Sequence, residues 1–212
     1  MPRVFLSPLG FHEDILIRAL IQLRASRLDR LLVVSCKPLV GGVRRAFDGL
    51  KASCSRQDLP EPGLLEVDCS RFYESIAEVR KELGKHEGEL ILLLGAGLRI
   101  LSHMLEVAVL VSGRPFKIYY EPESEGGERV LIDHSLYENL LNRGKLSNLE
   151  QRVLKLVLEK PGVTVVELAR ELGVKEKTVR NTLTKLKSKG LVAKKGRNEG
   201  VEPTSIAIAL YS

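Results

Sequence analysis

Three apolar runs of this chain are each followed by a short stretch containing glycine or proline, with residues that suit anion binding. The stretches are "SPLGF" at residues 7–11, "SCKPLVGG" at 35–42 and "GAGLR" at 95–99. Glycine lets the backbone approach a ligand closely, and a helix that begins directly after such a loop offers free N–H groups and a positive dipole end. Each stretch is therefore a candidate phosphate site. In the third stretch, Arg99 adds a guanidinium that can hold a phosphate through two hydrogen bonds.

The third stretch completes neither of the common nucleotide-binding motifs. A dinucleotide fingerprint needs another glycine three residues after "GAG", where Ile100 stands. A Walker loop needs Gly-Lys followed by Ser or Thr, which the pairs Gly84-Lys85 and Gly144-Lys145 lack. We therefore predict neither a dehydrogenase nor an ATPase.

The "GAG" turn also has an explanation without a ligand. Its glycines would then serve tight packing between a strand and a helix. In that case Arg99 would pair with a nearby carboxylate such as Glu13 or Glu121.

The cysteines and histidines predict no metal centre. Three widely spaced cysteines fit neither a disulfide framework nor a zinc pair, so we expect buried free thiols at Cys36, Cys54 and Cys69. The four histidines form no acid–base or ligand cluster in the sequence: His12, His86, His103 and His134. We predict no catalytic and no metal-binding residues.

Apolar runs alternate with amphipathic stretches through the first part of the chain, which predicts alternating strands and helices. The predicted strands are 3–7, 30–35, 64–68, 89–95, 115–120 and 129–133, and the predicted helices are 13–26, 42–53, 72–85 and 98–113. A continuous apolar run such as 90–94 is typical of a parallel strand covered on both faces. The stretch 121–130 is too short for a crossover helix and predicts an antiparallel last strand.

The predicted fold class is therefore α/β, with a Rossmann-like, mostly parallel sheet and helices on both faces. In such sheets ligands bind beyond the carboxyl ends of the strands, where all three candidate loops fall.

The last third of the chain carries the whole formal charge excess. Residues 147–212 hold 13 Lys and Arg against 7 Asp and Glu, whereas residues 1–146 hold 20 of each. This distribution favours a polyanion-binding domain attached to a neutral one. We place the two domains at 1–143 and 147–212.

The second domain has the pattern of a small winged helix-turn-helix. Capping boxes at 147–150 and 164–167 begin two helices, a turn at Gly173 leads to a third helix over 176–189, and 191–205 predicts two strands around a basic tip. Thr182 is expected to face outward on the third helix. The candidate DNA-binding residues are Lys175, Lys177, Thr178, Arg180, Asn181, Lys185, Lys194, Lys195 and Arg197.

These basic residues have an alternative explanation as a solvated face on a protein-docking module. RNA binding is less favoured, because no aromatic residues are interleaved with the charges. Where DNA is bound, lysines contact phosphates on any sequence, whereas Arg180 and Asn181 are of the types that read guanine and adenine.

The composition favours a cytoplasmic protein without a membrane partner. The chain is 44% hydrophobic with a mean hydropathy of −0.02, and charged residues and glycines interrupt its apolar stretches. The N-terminus lacks a basic leader followed by a long apolar segment.

Over nearly its whole length the sequence resembles the archaeal type I-A CRISPR-associated regulators, which join a CARF domain (CRISPR-associated Rossmann fold) to a winged helix-turn-helix. The resemblance lies in "SPLGFHEDILIRAL", "KPLVGGVRRAF", "GAGLRIL" and "LARELGVKEKTVRNTLTKLKSKGLV". It implies a homodimer whose paired CARF domains bind a cyclic oligoadenylate, most often the tetramer, across the two-fold axis. By position, the resemblance implies these ligand-binding residues: Ser7, Pro8, Leu9, Gly10, Phe11, Gly95, Ala96, Gly97, Leu98 and Arg99. We add Ser35, which begins the second candidate loop, to the predicted ligand-binding residues.

The sequence thus predicts a CRISPR-associated transcriptional regulator that binds double-stranded DNA. Cyclic tetraadenylate would be its second-messenger ligand, and no cofactor is expected. One alternative is a ring nuclease in which Ser7, His12 and Arg99 position the ligand for attack by its own 2′-hydroxyl. Another is a metabolite-sensing Rossmann regulator of a different pathway.

Overall fold

Strands that are almost entirely apolar alternate with amphipathic helices, and a group of short helices follows them. The computed structural model describes residues 2–122, 127–141, 145–194 and 200–211. In chain order the elements are β1 Arg3–Pro8, α1 Asp14–Gln22, β2 Arg30–Cys36, α2 Gly41–Arg56, β3 Pro62–Val67, α3 Phe72–Leu83, β4 Glu89–Leu94, α4 Arg99–Leu110, β5 Phe116–Tyr120, β6 Val130–Asp133, α5 Ser135–Leu141, α6 Asn148–Glu159, α7 Val165–Leu172, α8 Glu176–Ser188, β7 Val192–Lys194, β8 Val201–Pro203 and α9 Ser205–Tyr211.

The first unit, Met1–His134, is built on a six-stranded sheet in the order β3-β2-β1-β4-β5-β6. The strands from β1 to β5 pair in parallel, and β6 runs antiparallel to β5. The predicted Rossmann-like α/β fold and the antiparallel last strand are therefore confirmed. The strand order reverses between β1 and β4, which makes the carboxyl ends of these strands the topological switch point.

Alternating strand residues divide the core of this unit between the two faces of the sheet. On one face Phe5, Val33 and Leu93 pack in a cluster with buried residues of α1 and α2. The residues between them, such as Leu6 and Leu92, are also fully buried. On that side α4 contacts β1, β2 and β4, and α3 packs on α4. Burial on both faces explains why the central positions of β1, β2 and β4 are apolar.

The second unit, Ser135–Ser212, contains the predicted helix-turn-helix and wing strands. Ser147 and Thr164 cap α6 and α7 through complete capping boxes, as predicted. Gly173 ends α7 with a left-handed backbone conformation (φ +67°), which favours glycine. The strands β7 and β8 pair antiparallel. One apolar cluster holds α6, α7, α8 and both strands together.

Two short helices, α5 and α9, were not predicted from the sequence. The α9 sequence "SIAIALY" is apolar nearly throughout and shows no helical period, so its helical state depends on packing around buried Ala207. The α5 helix follows β6 but groups with the second unit. Asn139 Nδ2 donates a 2.6 Å hydrogen bond to the carbonyl of Lys189, the C-cap residue of α8. The break between units thus falls after His134, earlier than the predicted end of the first domain at residue 143.

Among the helices of the described residues, none has the length and apolar character needed to cross a bilayer.

Candidate functional site

A cleft of about 480 Å³ lies at the carboxyl ends of β1, β2 and β4 in the first unit. The helices α1, α2 and α4 begin beside it at Asp14, Gly41 and Arg99. Their N-terminal amides and dipole ends favour an anionic ligand. The lining residues are Leu9, Gly10, Phe11, His12, Asp14, Ile15, Ser35, Cys36, Pro38, Val40, Val43, Gly95, Ala96, Gly97 and Leu98.

The structure brings the three predicted loops together, but not every predicted residue reaches the cleft. Eight of them line it: Leu9, Gly10, Phe11, Ser35, Gly95, Ala96, Gly97 and Leu98. Ser7 and Pro8 do not, and neither does Arg99, which is exposed one residue beyond the lining. Ser7 is only 2% exposed, and its Oγ lies 3.2 Å from the carbonyl oxygen of Leu93 and 3.1 Å from that of Pro8. Its hydroxyl therefore joins β1 to β4 instead of facing a ligand.

Ser35 differs from Ser7 although both end a buried strand. Ser35 is 3% exposed and lies on the cleft wall. Within the described parts of the chain, its Oγ has no hydrogen-bond partner. This hydroxyl is therefore available to a ligand or to water in the cleft.

Close backbone approach explains the glycines of the first and third loops. A Cβ on Gly10 would lie 2.8 Å from the Cα of Gly97, and a Cβ on Gly97 (φ +85°) would lie 2.8 Å from Pro8 Cβ. Gly95 (φ +133°) packs against the carbonyl of Glu121. The tight packing that the sequence offered as an explanation without a ligand is thus present, and the same turn lines the cleft.

Glu13 and Glu121, the carboxylates considered as alternative partners of Arg99, form no ion pair with it among the described residues. Arg129 Nε lies 3.2 Å and Arg18 Nε 3.8 Å from the carboxylate of buried Glu121, and the Tyr119 hydroxyl donates to the same group at 3.0 Å. Burial, together with this hydrogen bond, raises the pKa of Tyr119 to about 12. For Arg99 the described residues provide no ion pair with Glu13 or Glu121. Its guanidinium therefore stays available at the N-terminus of α4.

Sequence reasoning missed further basic residues near the cleft. Lys37, Arg44 and Arg45 are exposed in the second loop and in the first turn of α2. In the sequence, the two arginines could have been recognised from the stretch "GGVRR" at residues 41–45. These charges add to the positive dipole end of α2.

The expectation of three free thiols is wrong. Cys36 and Cys69 form a disulfide, and only Cys54 is a free, buried cysteine. Burial raises the pKa of the Cys54 thiol to about 11. The pair forms because β2 and β3 are neighbours in the sheet, with Cys36 opposite Val67 and Cys69 just beyond it. Sequence spacing does not reveal which strands are neighbours. Cys36 also lines the cleft, so the disulfide joins its wall to the loop after β3.

The second unit presents the third helix of the motif, α8, with one polar face outward. Val179, Leu183 and Leu186 are buried as predicted. The predicted contact residues of this helix are exposed: Lys175, Lys177, Thr178, Arg180, Asn181 and Lys185. Thr182 does not face outward, because it is 6% exposed and its Oγ1 donates to the Thr178 carbonyl at 2.9 Å.

Helical periodicity places Thr184 and Lys187 on the exposed side of α8 instead of Thr182. Arg180 Nη2 lies 3.1 Å from Glu176 Oε2, one turn earlier on the same helix. On the wing, Lys194 is exposed, whereas Lys195 and Arg197 lie outside the described residues.

Neither unit shows a metal centre: among the described residues no group of histidine, cysteine and carboxylate side chains could hold a metal ion.

Comparison with known proteins relates both units to regulators. Residues 3–133 match the sequence profile of the Csa3 CRISPR-associated Rossmann-like domain, and residues 135–208 match that of the sugar-specific transcriptional regulator TrmB. The CRISPR locus-related protein Csa3 of Saccharolobus solfataricus, named as a candidate DNA-binding protein, is 29% identical over 200 residues, which are 94% of this chain and 84% of that relative.

Among solved structures, Enterococcus italicus Csm6 bound to cyclic hexa-2′-fluoro-hexa-dAMP superposes with a TM-score of 0.51 at 12% identity. The superposition covers 90% of this chain but only 56% of the Csm6 chain. Sulfobacillus thermosulfidooxidans Can2, in complex with cyclic tetra-adenylate, is more distant, with a TM-score of 0.45 at 12% identity over 97% of this chain and 61% of that one. At such an identity the Csm6 likeness shows a shared fold alone.

Proposed function

This chain belongs to the Csa3 family of CRISPR-associated Rossmann-like domains, and from that premise we propose that it is a transcriptional regulator controlled by a cyclic oligoadenylate. The first domain binds the ligand, with cyclic tetraadenylate as the preferred ring, and also forms the homodimer. The second domain binds double-stranded DNA. The observation that carries the proposal is the cleft at the switch point, where three helices begin and where the Ser35 hydroxyl lies without a hydrogen-bond partner among the described residues.

An exposed apolar stripe on α4 supports the homodimer. Ile100 in the first turn of α4 is 46% exposed and the C-cap residue Val111 is 47% exposed, although the opposite side of this helix is fully buried. Exposed His103 stacks on Phe72 at 5.9 Å between ring centroids, which extends the stripe toward α3. Such a face on a helix that begins at the cleft suits a two-fold contact that places two clefts and two copies of Arg99 beside one ligand of matching symmetry.

The charge distribution supports DNA as the partner of the second domain. The exposed face of α8 carries Lys177, Arg180, Asn181 and Lys185, and the wing strand β7 ends at exposed Lys194. A basic helix beside a basic wing matches the way such domains contact phosphates and base edges in the major groove.

The experiment that tests the ligand is a calorimetric titration of the full chain with cyclic tetraadenylate. Linear tetraadenylate, cyclic hexaadenylate and NAD are titrated in parallel. We expect one cyclic tetramer per dimer. Arg99→Ala should weaken binding by roughly 10-fold or more, since it removes charge-assisted hydrogen bonds to phosphate. Ser35→Ala should weaken it about 5-fold, the size of one neutral hydrogen bond.

Ser7→Ala is the matched control for Ser35→Ala, because its hydroxyl bonds only to backbone in the described structure. It should leave ligand affinity unchanged. The ligand assignment would be refuted if the wild-type chain bound none of the cyclic compounds, and binding of NAD alone would favour the metabolite-sensing alternative.

A ring nuclease is the second candidate function, favoured by the position of His12 on the cleft wall. An imidazole there can assist proton transfer at a phosphodiester. Incubation with cyclic tetraadenylate over hours, followed by chromatography, separates the two functions. A regulator without this activity leaves the ring intact, whereas a nuclease opens it and slows when His12 is replaced by Ala.

A further inference from the structure

The mouth of the cleft has an apolar rim that the phosphate-binding features do not explain. Phe11 is 60%, Val40 49% and Leu98 50% exposed, and all three line the cleft. Ser35, deep in the same cleft, is 3% exposed. The cleft therefore combines polar groups, the Ser35 hydroxyl and the N-termini of three helices, with apolar side chains, of which Phe11, Val40 and Leu98 are exposed at its mouth.

Phe11 holds a defined position although most of its ring is exposed. A Cβ on Gly42 would lie 2.7 Å from Phe11 Cδ1 and 2.8 Å from Cε1, so this edge of the ring rests against the backbone of α2. The contact links the first loop to the second across the cleft. Among the described residues that line the cleft, Phe11 alone carries a phenyl or phenol ring, and His12 carries an imidazole.

An exposed aromatic ring held at the mouth of a cleft where three helices begin suits a ligand with a flat apolar part joined to an anionic part. Nucleotides have this character, because the base has a π face and the phosphate carries the charge. An adenine over Phe11 would cover the ring, and Val40 and Leu98 would contact the edges of the base. The phosphates would then lie toward the amides of α2 and α4.

We propose that Phe11 is a stacking platform for an adenine base of the ligand, and that Val40 and Leu98 complete the base subsite. The proposal rests on the function proposed above and specifies how that site recognises the base. It makes Phe11 a positioning residue, because stacking sets the orientation in which the phosphates meet the helix N-termini.

The test uses the full chain, cyclic tetraadenylate and a cyclic tetranucleotide in which one adenine is replaced by 2-aminopurine. Stacking of one base on an aromatic ring contributes about 10- to 100-fold in affinity. Phe11→Ala should therefore lower calorimetric affinity within this range, Phe11→Leu should recover only part of it, and Phe11→Tyr should restore it. The fluorescence of 2-aminopurine should be quenched on binding to the wild-type and Phe11→Tyr chains and remain high with Phe11→Ala.

Leu28→Ala is the matched control, since Leu28 is 84% exposed and does not line the cleft. It should change neither affinity nor quenching, and thermal unfolding should be the same for all variants because these side chains are largely exposed.

The two proposals fail in different ways. If the wild-type chain binds cyclic tetraadenylate but Phe11→Ala and Phe11→Leu bind it equally well with full quenching, the stacking platform is overturned and the ligand assignment stands. If the wild-type chain does not bind, both are overturned.

Discussion

Two serines at the ends of neighbouring strands show how the surroundings of a residue decide its role. The Ser7 hydroxyl lies between two backbone carbonyls, whereas that of Ser35 has no partner in the described structure and lies on the cleft wall. Both are almost completely buried. Sequence reasoning grouped them because each ends an apolar run before a loop. Only the packing of β1 against β4 separates them, since it brings the carbonyl of Leu93 to Ser7.

Glu150 is the residue whose ionisation most clearly stabilises the second unit. Its side chain is 8% exposed, with Lys189 Nζ at 2.9 Å and the Ser147 N–H donating at 2.7 Å. Burial alone would raise its pKa. The hydrogen bonds from Ser147 and Lys189 outweigh burial and lower the pKa from 4.5 to about 2.

A carboxyl whose pKa is lower in the folded state stabilises the fold above its unfolded pKa. That stabilisation should be complete above pH 4.5 and lost as the pH falls toward 2, and it amounts to about 3 kcal/mol. Urea unfolding of the wild-type and Glu150→Gln chains should therefore differ most near pH 7 and converge below pH 3. A difference that is independent of pH would show that Glu150 acts through packing alone.

At the scale of elements, adjacency in the sheet decides contacts that spacing along the chain conceals. Cys36 and Cys69 are 33 residues apart, but Cys36 is the last residue of β2 and Cys69 follows the neighbouring strand β3, so they pair. The α5 helix follows β6 directly, yet Asn139 bonds it to the C-terminal end of α8, where Thr204 also donates to the Gly190 carbonyl at 2.7 Å. The turn between α8 and the wing therefore receives hydrogen bonds from α5 and from the segment before α9.

A separate prediction concerns the wing, where Lys194 is the last residue of β7 and its side chain is exposed. If the wing contacts the DNA backbone, replacing Lys194 by Ala should reduce the slope of log affinity against log salt by about one unit, the loss of one phosphate contact. The fluorescence anisotropy of labelled duplex DNA over a salt series measures this slope. Lys155→Ala is the control, since Lys155 is exposed on α6, outside α8 and the wing. Equal slopes for both variants would remove the wing from the interface.

At the scale of the whole molecule, the proposed function assigns a different kind of anion to each of the two units. The first part of the chain is neutral overall and offers a cleft with helix N-termini to a small anionic ligand, whereas the last third carries the formal excess of +6 that suits a polyanion. A ligand changes DNA binding only if it binds two states of the protein unequally. The proposed dimer supplies such states, because a ligand shared by two clefts depends on how the two copies meet.

The apolar stripe of α4 allows a test of the proposed homodimer with a variant that should dissociate its two protomers. Ile100→Asp places a charge in the proposed dimer face, which should convert the dimer into a monomer and weaken DNA binding at least about 10-fold, since two half-sites are no longer bound together. Sedimentation velocity and anisotropy measure the two effects. Ile21→Asp on α1 is the matched control, because Ile21 is 50% exposed and Ile100 46%. A chain that stays dimeric with Asp at position 100 would contradict this interface.

The sequence by itself determined the Rossmann-like sheet, the antiparallel last strand, the three loops of the cleft and the two capping boxes of the helix-turn-helix. Each of these depends on local patterns: apolar runs, turn residues and capping spacing. Tertiary structure alone decided the pairing of Cys36 with Cys69, the different hydrogen bonding of Ser7 and Ser35, the burial of Thr182 and the attachment of α5 to α8. The physical reason is that these features are contacts between segments distant in sequence, which exist only once the sheet order and the packing of the helices bring those segments together.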